Sequence, residues 1–189
     1  PAATESASTA ETVDGEKVLT AAISTAWDTM MPLNTTSNYT RMIADQIYDR
    51  LTQTTADGKI EGRLAESWTV NEDSTAVTFK LYENANWSDG EPVTAADVVF
   101  SYQMYSDPAV EAKSRYHLQY IAGVDASGAE LSEDSIEVFA EDDYTVTFNL
   151  KSAMFAETFL QDIDTVFIIP KHIFEGKTAE EAKTKASEN

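Results

Sequence analysis

The side chains able to do chemistry in this chain are His117 and His172 and several acidic clusters: Glu72-Asp73, Asp89 with Glu91, Glu133-Asp134 and Glu141-Asp142-Asp143. A histidine can shuttle a proton near neutral pH or bind a metal. Neither histidine has a partner at the HExxH spacing, and with no cysteine in the chain a zinc site would need carboxylates to complete it. Paired carboxylates can cleave a glycosidic bond, but only when one is buried and the two face each other across a cleft. Most of the acidic residues here fall in predicted turns, where solvated carboxylates are the simpler reading. The stretch "DASGAELSED" (125–134) has oxygen enough for calcium but lacks the D-x-D-x-D-G order. No G-x-S-x-G elbow, phosphate loop or dinucleotide glycine pattern occurs. The residues themselves predict no catalytic group, no metal and no cofactor.

The composition narrows the partners. Thirteen Lys and Arg against 33 Asp and Glu give a net charge of −20, which repels phosphate backbones and argues against nucleic acid. With 42% hydrophobic residues the chain can bury a core. No segment approaches the ~20 apolar residues of a membrane helix, and the apolar centre of a signal peptide is missing. Residues 1–16, "PAATESASTAETVDGE", have almost nothing to bury and read as a disordered leader.

The elements that would position any site follow from periodicity. "KVLTAAIS" (17–24) reads as a first strand, and 27–40 as a loop around Pro32. Asn38 or Thr40 can start a helix through about Leu51, with Ile43, Ile47 and Leu51 on its inner face. "NEDSTAVTFKL" (71–81) and "AEDDYTVTFNL" (140–150) each place an acidic turn before an alternating strand. Val77, Phe79 and Leu81 share one face of the first, and Val146, Phe148 and Leu150 share one face of the second. "ESWTV" (66–70) and "SIEVFA" (135–140) are the hairpin partners, and two antiparallel hairpins of one sheet explain the pattern more simply than a duplication.

Between the hairpins, Thr94 suits an N-cap, its hydroxyl accepting a backbone N–H. Asp97 closes a capping box, and Val93 and Val98 form a hydrophobic staple. "SAMFAETFLQDI" (152–163) reads as a helix with a stripe at Met154, Phe155, Thr158, Phe159 and Ile163; "TVFIIP" (165–170) reads as a short buried strand, and Thr178 as the start of a polar helix. The order gives an α/β fold with mixed or antiparallel pairing.

The block "GRLAESWTVNEDSTAVTFKLYENANWSDGEPVTAADVVFSY" resembles the signature region of the extracytoplasmic solute-binding proteins of ABC importers, the oligopeptide, dipeptide and nickel group. Leu64, Ala65, Ser67, Trp68, Asp73, Phe79, Leu81, Asp89, Gly90, Thr94, Ala95, Asp97 and Val98 carry the likeness, and "DDYTVTFNL" and "IIPKHIFEG" follow in the same order. Trp87 stands where Phe is usual, and Tyr82 where a basic residue is common.

The resemblance implies the N-terminal part of a two-lobed periplasmic-binding-protein type II fold with the extra domain of the peptide-binding family. It divides the chain into a leader or tether (1–16), the start of lobe I (17–40), the inserted domain with the signature block (41–150) and a return into lobe I (151–189). It implies capture of a small solute, a peptide above all, and delivery to a membrane permease by an extracytoplasmic monomer. It also implies a lipid anchor through a cysteine that this chain does not contain. Ligand contacts from this portion are expected at Trp27, Asp28, Asn38 and Tyr39. A carboxylate-dependent hydrolase such as a glycosidase and a non-catalytic surface interaction module remain the alternatives.

Overall fold

The structure, a computed structural model, describes residues 11–13, 16–18 and 29–186. Two short strands, β1 (Glu11–Val13) and β2 (Glu16–Val18), pair antiparallel. The expected leader therefore carries a strand at its C-terminal end. Of the strand expected over 17–24 only its first residues are described; the rest lies outside the described residues.

Helix α1 spans Asn38–Ile47. Its N-cap is Ser37, whose hydroxyl accepts from the Thr40 N–H at 3.4 Å, so the helix starts neither on Asn38 nor on Thr40 as caps. It also stops short of Leu51, because Tyr48 turns extended (φ −110°, ψ 154°) while its N–H still closes onto the Ala44 carbonyl. The expected inner face is corrected as well. Thr40 and Ala44 are buried, whereas Ile43 is half-buried and Ile47 is 54% exposed. The larger apolar side chains look outward, Met42 at 61% exposure.

Strands β3 (Thr52–Thr54) and β4 (Ile60–Gly62) form a second hairpin. The main sheet has four strands: β5 (Ala65–Val70), β6 (Ala76–Leu81), β7 (Val138–Asp142) and β8 (Thr145–Asn149), in the order β5-β6-β8-β7. All of its pairings are antiparallel, and the two predicted hairpins lie side by side through β6 and β8. Val77, Phe79, Leu81, Val146, Phe148 and Leu150 all face the core, as the period-2 pattern requires. Phe148 is the hub of an aromatic cluster, with ring centroids 5.5 Å from Phe79, 4.7 Å from Tyr102 and 5.3 Å from Phe159.

Helix α2 (Ala95–Ser106) lies against the sheet. Its start matches the sequence reading, with one change of role: the Asp97 carboxylate accepts from both the Thr94 N–H (2.8 Å) and the Thr94 hydroxyl (3.1 Å). The stapling residues Val93 and Val98 are buried. Helix α3 (Ala156–Asp162) turns Ala156, Phe159 and Leu160 inward, while Thr158, expected in the stripe, is exposed. Two short helices, α4 (Lys171–Phe174) and α5 (Ala179–Ala186), complete the described chain, and Thr178 caps α5 as expected, its hydroxyl accepting from the Glu181 N–H.

Residues 166–170 are buried, as their composition predicts, but they do not form a strand. Their backbone is satisfied in another way. The N–H groups of Lys171, Ile169 and Phe167 donate to Asp97 Oδ1 (2.8 Å), Ser101 Oγ (2.9 Å) and the Tyr105 hydroxyl (3.3 Å). The intervening Ile168 N–H points the other way, to the Asp49 carbonyl at 2.8 Å. Four residues of helix advance about 6.0 Å and two residues of extended chain about 6.6 Å. An i, i+4, i+8 row of polar side chains can therefore replace a neighbouring strand. The rungs lengthen from Asp97 to Tyr105, as a small mismatch accumulating from one end would require.

Candidate functional site

The loop before α1, the first turns of α1 and the extended 166–171 segment enclose a small polar cavity of about 90 Å³. Its wall includes Pro32, Ser37, Asn38, Arg41, Ser114 and Phe167. The loop is set by Asn34, whose side-chain amide donates to the Val110 carbonyl at 2.7 Å, and by the Lys113 N–H on the Leu33 carbonyl at 2.8 Å. Of the residues expected to touch ligand, Asn38 lines this cavity. Tyr39 is half-buried beside it and is not part of its wall. Trp27 and Asp28 lie outside the described residues.

Arg41 is the residue that sequence reasoning missed. Its guanidinium carbon sits 5.7 Å from the centre of the Phe167 ring, and that of Arg50 sits 4.7 Å from the same ring. Both are cation–π contacts. Arg50 is held by the Asp45 carboxylate and by the Asp164 carbonyl at 2.6 Å. Burial, and then the like charge of Arg41, lower its pKa. Below Phe167, burial pushes the Tyr105 hydroxyl well above the ordinary tyrosine range. His117 lies nearby, its Nδ1 3.7 Å from Asp162. Burial holds this imidazole below the ordinary histidine range, against the opposing pull of Asp162.

A larger cavity of about 690 Å³ opens at the other end of α1. Aromatic side chains from Tyr48, Trp87 and Phe174 line it together with Asp49, Arg63 and Asp89. Arg63 pairs with Asp49 at 2.9 Å, and the Trp87 indole N–H is buried with no acceptor among the described residues. At its rim His172 Nε2 meets Asp89 Oδ2 at 2.8 Å, tying the Asp89-Gly90 turn to α4. The acidic clusters singled out in the sequence, Glu72-Asp73, Asp89 with Glu91, Glu133-Asp134 and Glu141-Asp142-Asp143, are all exposed. In the 125–134 stretch the Asp125 carboxylate is taken by its own turn, accepting from Ser127 N (2.7 Å), the Ser127 hydroxyl (2.7 Å) and Ala129 N (3.1 Å). Among the described residues no group of three His, Asp or Glu is placed to hold a metal ion. Cavities of this kind, aromatic walls with a few fixed polar groups, suit recognition of a ligand.

A family model described as bacterial extracellular solute-binding proteins, family 5 Middle, matches residues 59–189. The chain belongs to this family. Among curated relatives of this family 5 chain, the periplasmic oligopeptide-binding protein OppA of Escherichia coli is 38% identical over 112 residues, covering 57% of this chain and 20% of the relative. Among solved structures, the substrate-binding domain of an oligopeptide ABC transporter from Bacillus anthracis superposes with a TM-score of 0.71 at 28% identity, covering 80% of this chain and 30% of that one. Haemophilus influenzae OppA in complex with the peptide RPPGFSPFR superposes with a TM-score of 0.68, also at 28% identity, over 78% of this chain and 29% of that one. This family 5 chain thus spans about a fifth of the length of that curated relative and under a third of those solved neighbours. Its fold is that of part of a periplasmic-binding-protein type II substrate-binding domain.

Proposed function

We propose that this chain is the N-terminal portion of the solute-binding component of an ABC importer, and that the solute is a peptide. The observation that carries the proposal is the family match across residues 59–189, supported by the likeness to an OppA bound to a peptide. Residues 17–40 and 151–189 contribute to lobe I, and 41–150 form the inserted domain. Asn38 and Tyr39, with Trp27 and Asp28, are the proposed ligand contacts from this portion. The ligand is captured by lobe closure, its covalent bonds left intact, and handed to a permease. The receptor works as a monomer outside the cytoplasm, and the Ala, Ser, Thr and Glu-rich opening suits a tether behind a lipid-modified cysteine.

In this portion only one wall of the cleft is present, so its own affinity is low. Calorimetric titration with short peptides and, in parallel, with oligosaccharides is expected to give weak heat for peptides alone. Micromolar or tighter binding by this chain would contradict the half-cleft reading. Hydrolysis of a chromogenic glycoside, lost on mutating a carboxylate, would replace capture with catalysis.

A further inference from the structure

The chain carries a net charge of −20, and its hollows mostly reflect this. The large cavity sets Asp45, Asp49 and Asp89 against Arg63. The groove beside it balances Arg50 and Arg63 with Asp45, Asp49 and Asp164. On the outer side of α2, Lys171 is matched by Asp134, and along α5, Lys177 and Lys185 are matched by Glu180 and Glu181. The small cavity before α1 breaks the pattern. Among the described residues that line it, Arg41 is the charged one and none is a carboxylate.

Arg50 and Arg63 each have a carboxylate partner, whereas Arg41 forms no ion pair among the described residues. The Phe167 ring under it fixes the plane of its approach without neutralising it. Arg50 lies over the same ring, so two guanidinium groups converge there and only one is balanced. Two acids on neighbouring elements are engaged: Asp162 faces His117, and Asp45 takes Arg50. An unbalanced arginine at a polar hollow in so acidic a chain marks a place for a negative group.

Resting on the peptide-capture reading above, we infer that this cavity seats a carboxylate of the bound ligand, with Arg41 as its anchoring residue. The planar guanidinium presents parallel N–H donors that match the two oxygens of a carboxylate. Asn38 and Ser114 bring an amide and a hydroxyl to the same wall, and Pro32 and Phe167 supply apolar sides that strengthen the charge interaction by excluding water. A cavity of about 90 Å³ has room for a carboxylate and its adjoining carbon. The carboxylate is the C-terminus of a peptide or the side chain of an acidic residue; the chemistry is the same.

The test is ¹⁵N NMR of the whole chain, following the Arg41 side-chain N–H and the backbone amides of Asn38 and Ser114. Four probes are titrated: sodium acetate, N-acetyl-dialanine with a free C-terminus, its C-terminal amide, and an amidated peptide carrying one glutamate. The free acid is expected to move these three signals and the amide to leave them in place. The glutamate probe then tells whether a side-chain carboxylate also enters. Arg41→Gln should weaken the response at least about tenfold, with Arg41→Lys retaining part of it. Asn38→Ala, outside the Phe167 contact, should weaken it several-fold and serves if Arg41→Gln disturbs the fold. Equal shifts from acid and amide would overturn the seat and leave peptide capture standing. Shifts with acetate alone would keep the seat and count against peptides. Silence of all three signals up to the solubility of every probe would remove the seat outright.

Discussion

Asp97 is 4% exposed, and its carboxylate accepts from Thr94 at the start of α2 and from the Lys171 N–H across the molecule. Replacing it with alanine removes both at once. Loss of the capping interaction costs about 0.5–2 kcal/mol, and leaving the partly buried Lys171 N–H without an acceptor costs about 1–3 kcal/mol. The expected loss for Asp97→Ala is therefore about 2–4 kcal/mol, with coupling between the two contacts keeping it below the sum of the extremes. Asp97→Asn retains one acceptor oxygen but sets an NH₂ against a donor, so about 1–2 kcal/mol is expected. Thr94→Ala alone removes only the hydroxyl contact and should cost about 0.5–1 kcal/mol. Urea unfolding followed by tryptophan fluorescence and by circular dichroism gives these values, with unchanged m confirming that stability is what moved. If Asp97→Ala lay within about 0.5 kcal/mol of the parent, as a surface change would, the idea that this carboxylate clips the 166–171 segment to α2 would be refuted.

Three further outcomes are expected. Gly123 has φ +83°, and a Cβ there would run into the Ser135 carbonyl oxygen, so Gly123→Ala should lower the thermal midpoint far more than Gly58→Ala. At Gly58 the space is open and only the left-handed backbone, about 1–2 kcal/mol, is at stake. Phe148→Ala empties the centre of the aromatic cluster and should cost about 3–5 kcal/mol in urea unfolding; a loss under about 1 kcal/mol would mean the cluster is not the core. The hydrogen bond from His172, then the Glu91 N–H, depress the Asp89 pKa below the ordinary 3.8. A depressed carboxyl stabilises the fold fully above its unfolded pKa and loses that contribution as pH falls through the lowered folded value. His172→Gln should thus raise the Asp89 midpoint in a carbon-detected NMR titration and flatten the acid end of the stability curve. An unmoved midpoint would assign the depression to Glu91.

The sheet and the start of α2 were legible because each is written in short-range chemistry. Val77, Phe79, Leu81 and their counterparts in β8 alternate, and Thr94, Asp97 and the flanking valines specify a helix start within a few residues. What could not be read depended on partners distant in sequence. Ile43 and Ile47 have helical spacing, yet the buried pair is Thr40 and Ala44, a choice made by which side of α1 meets the rest of the fold. Residues 166–170 have a strand's composition, but their partners are side chains on a helix. At the candidate site Asn38 was named and Arg41 was not. A lone arginine on a helix is normally solvated, and its lack of a counter-charge becomes visible only when Phe167 and Ser114 are brought beside it.

The three rungs between α2 and the 166–171 segment also act as a gauge of length. One residue inserted between Asp97 and Tyr105 would rotate everything beyond it by about 100° and carry the remaining acceptors off the shared edge. One residue inserted among 167–171 would turn the following N–H groups to the opposite side. Neither piece can grow or shrink alone, so length changes in related chains are expected in the stretch 107–137, where the backbone runs between the two without measuring either.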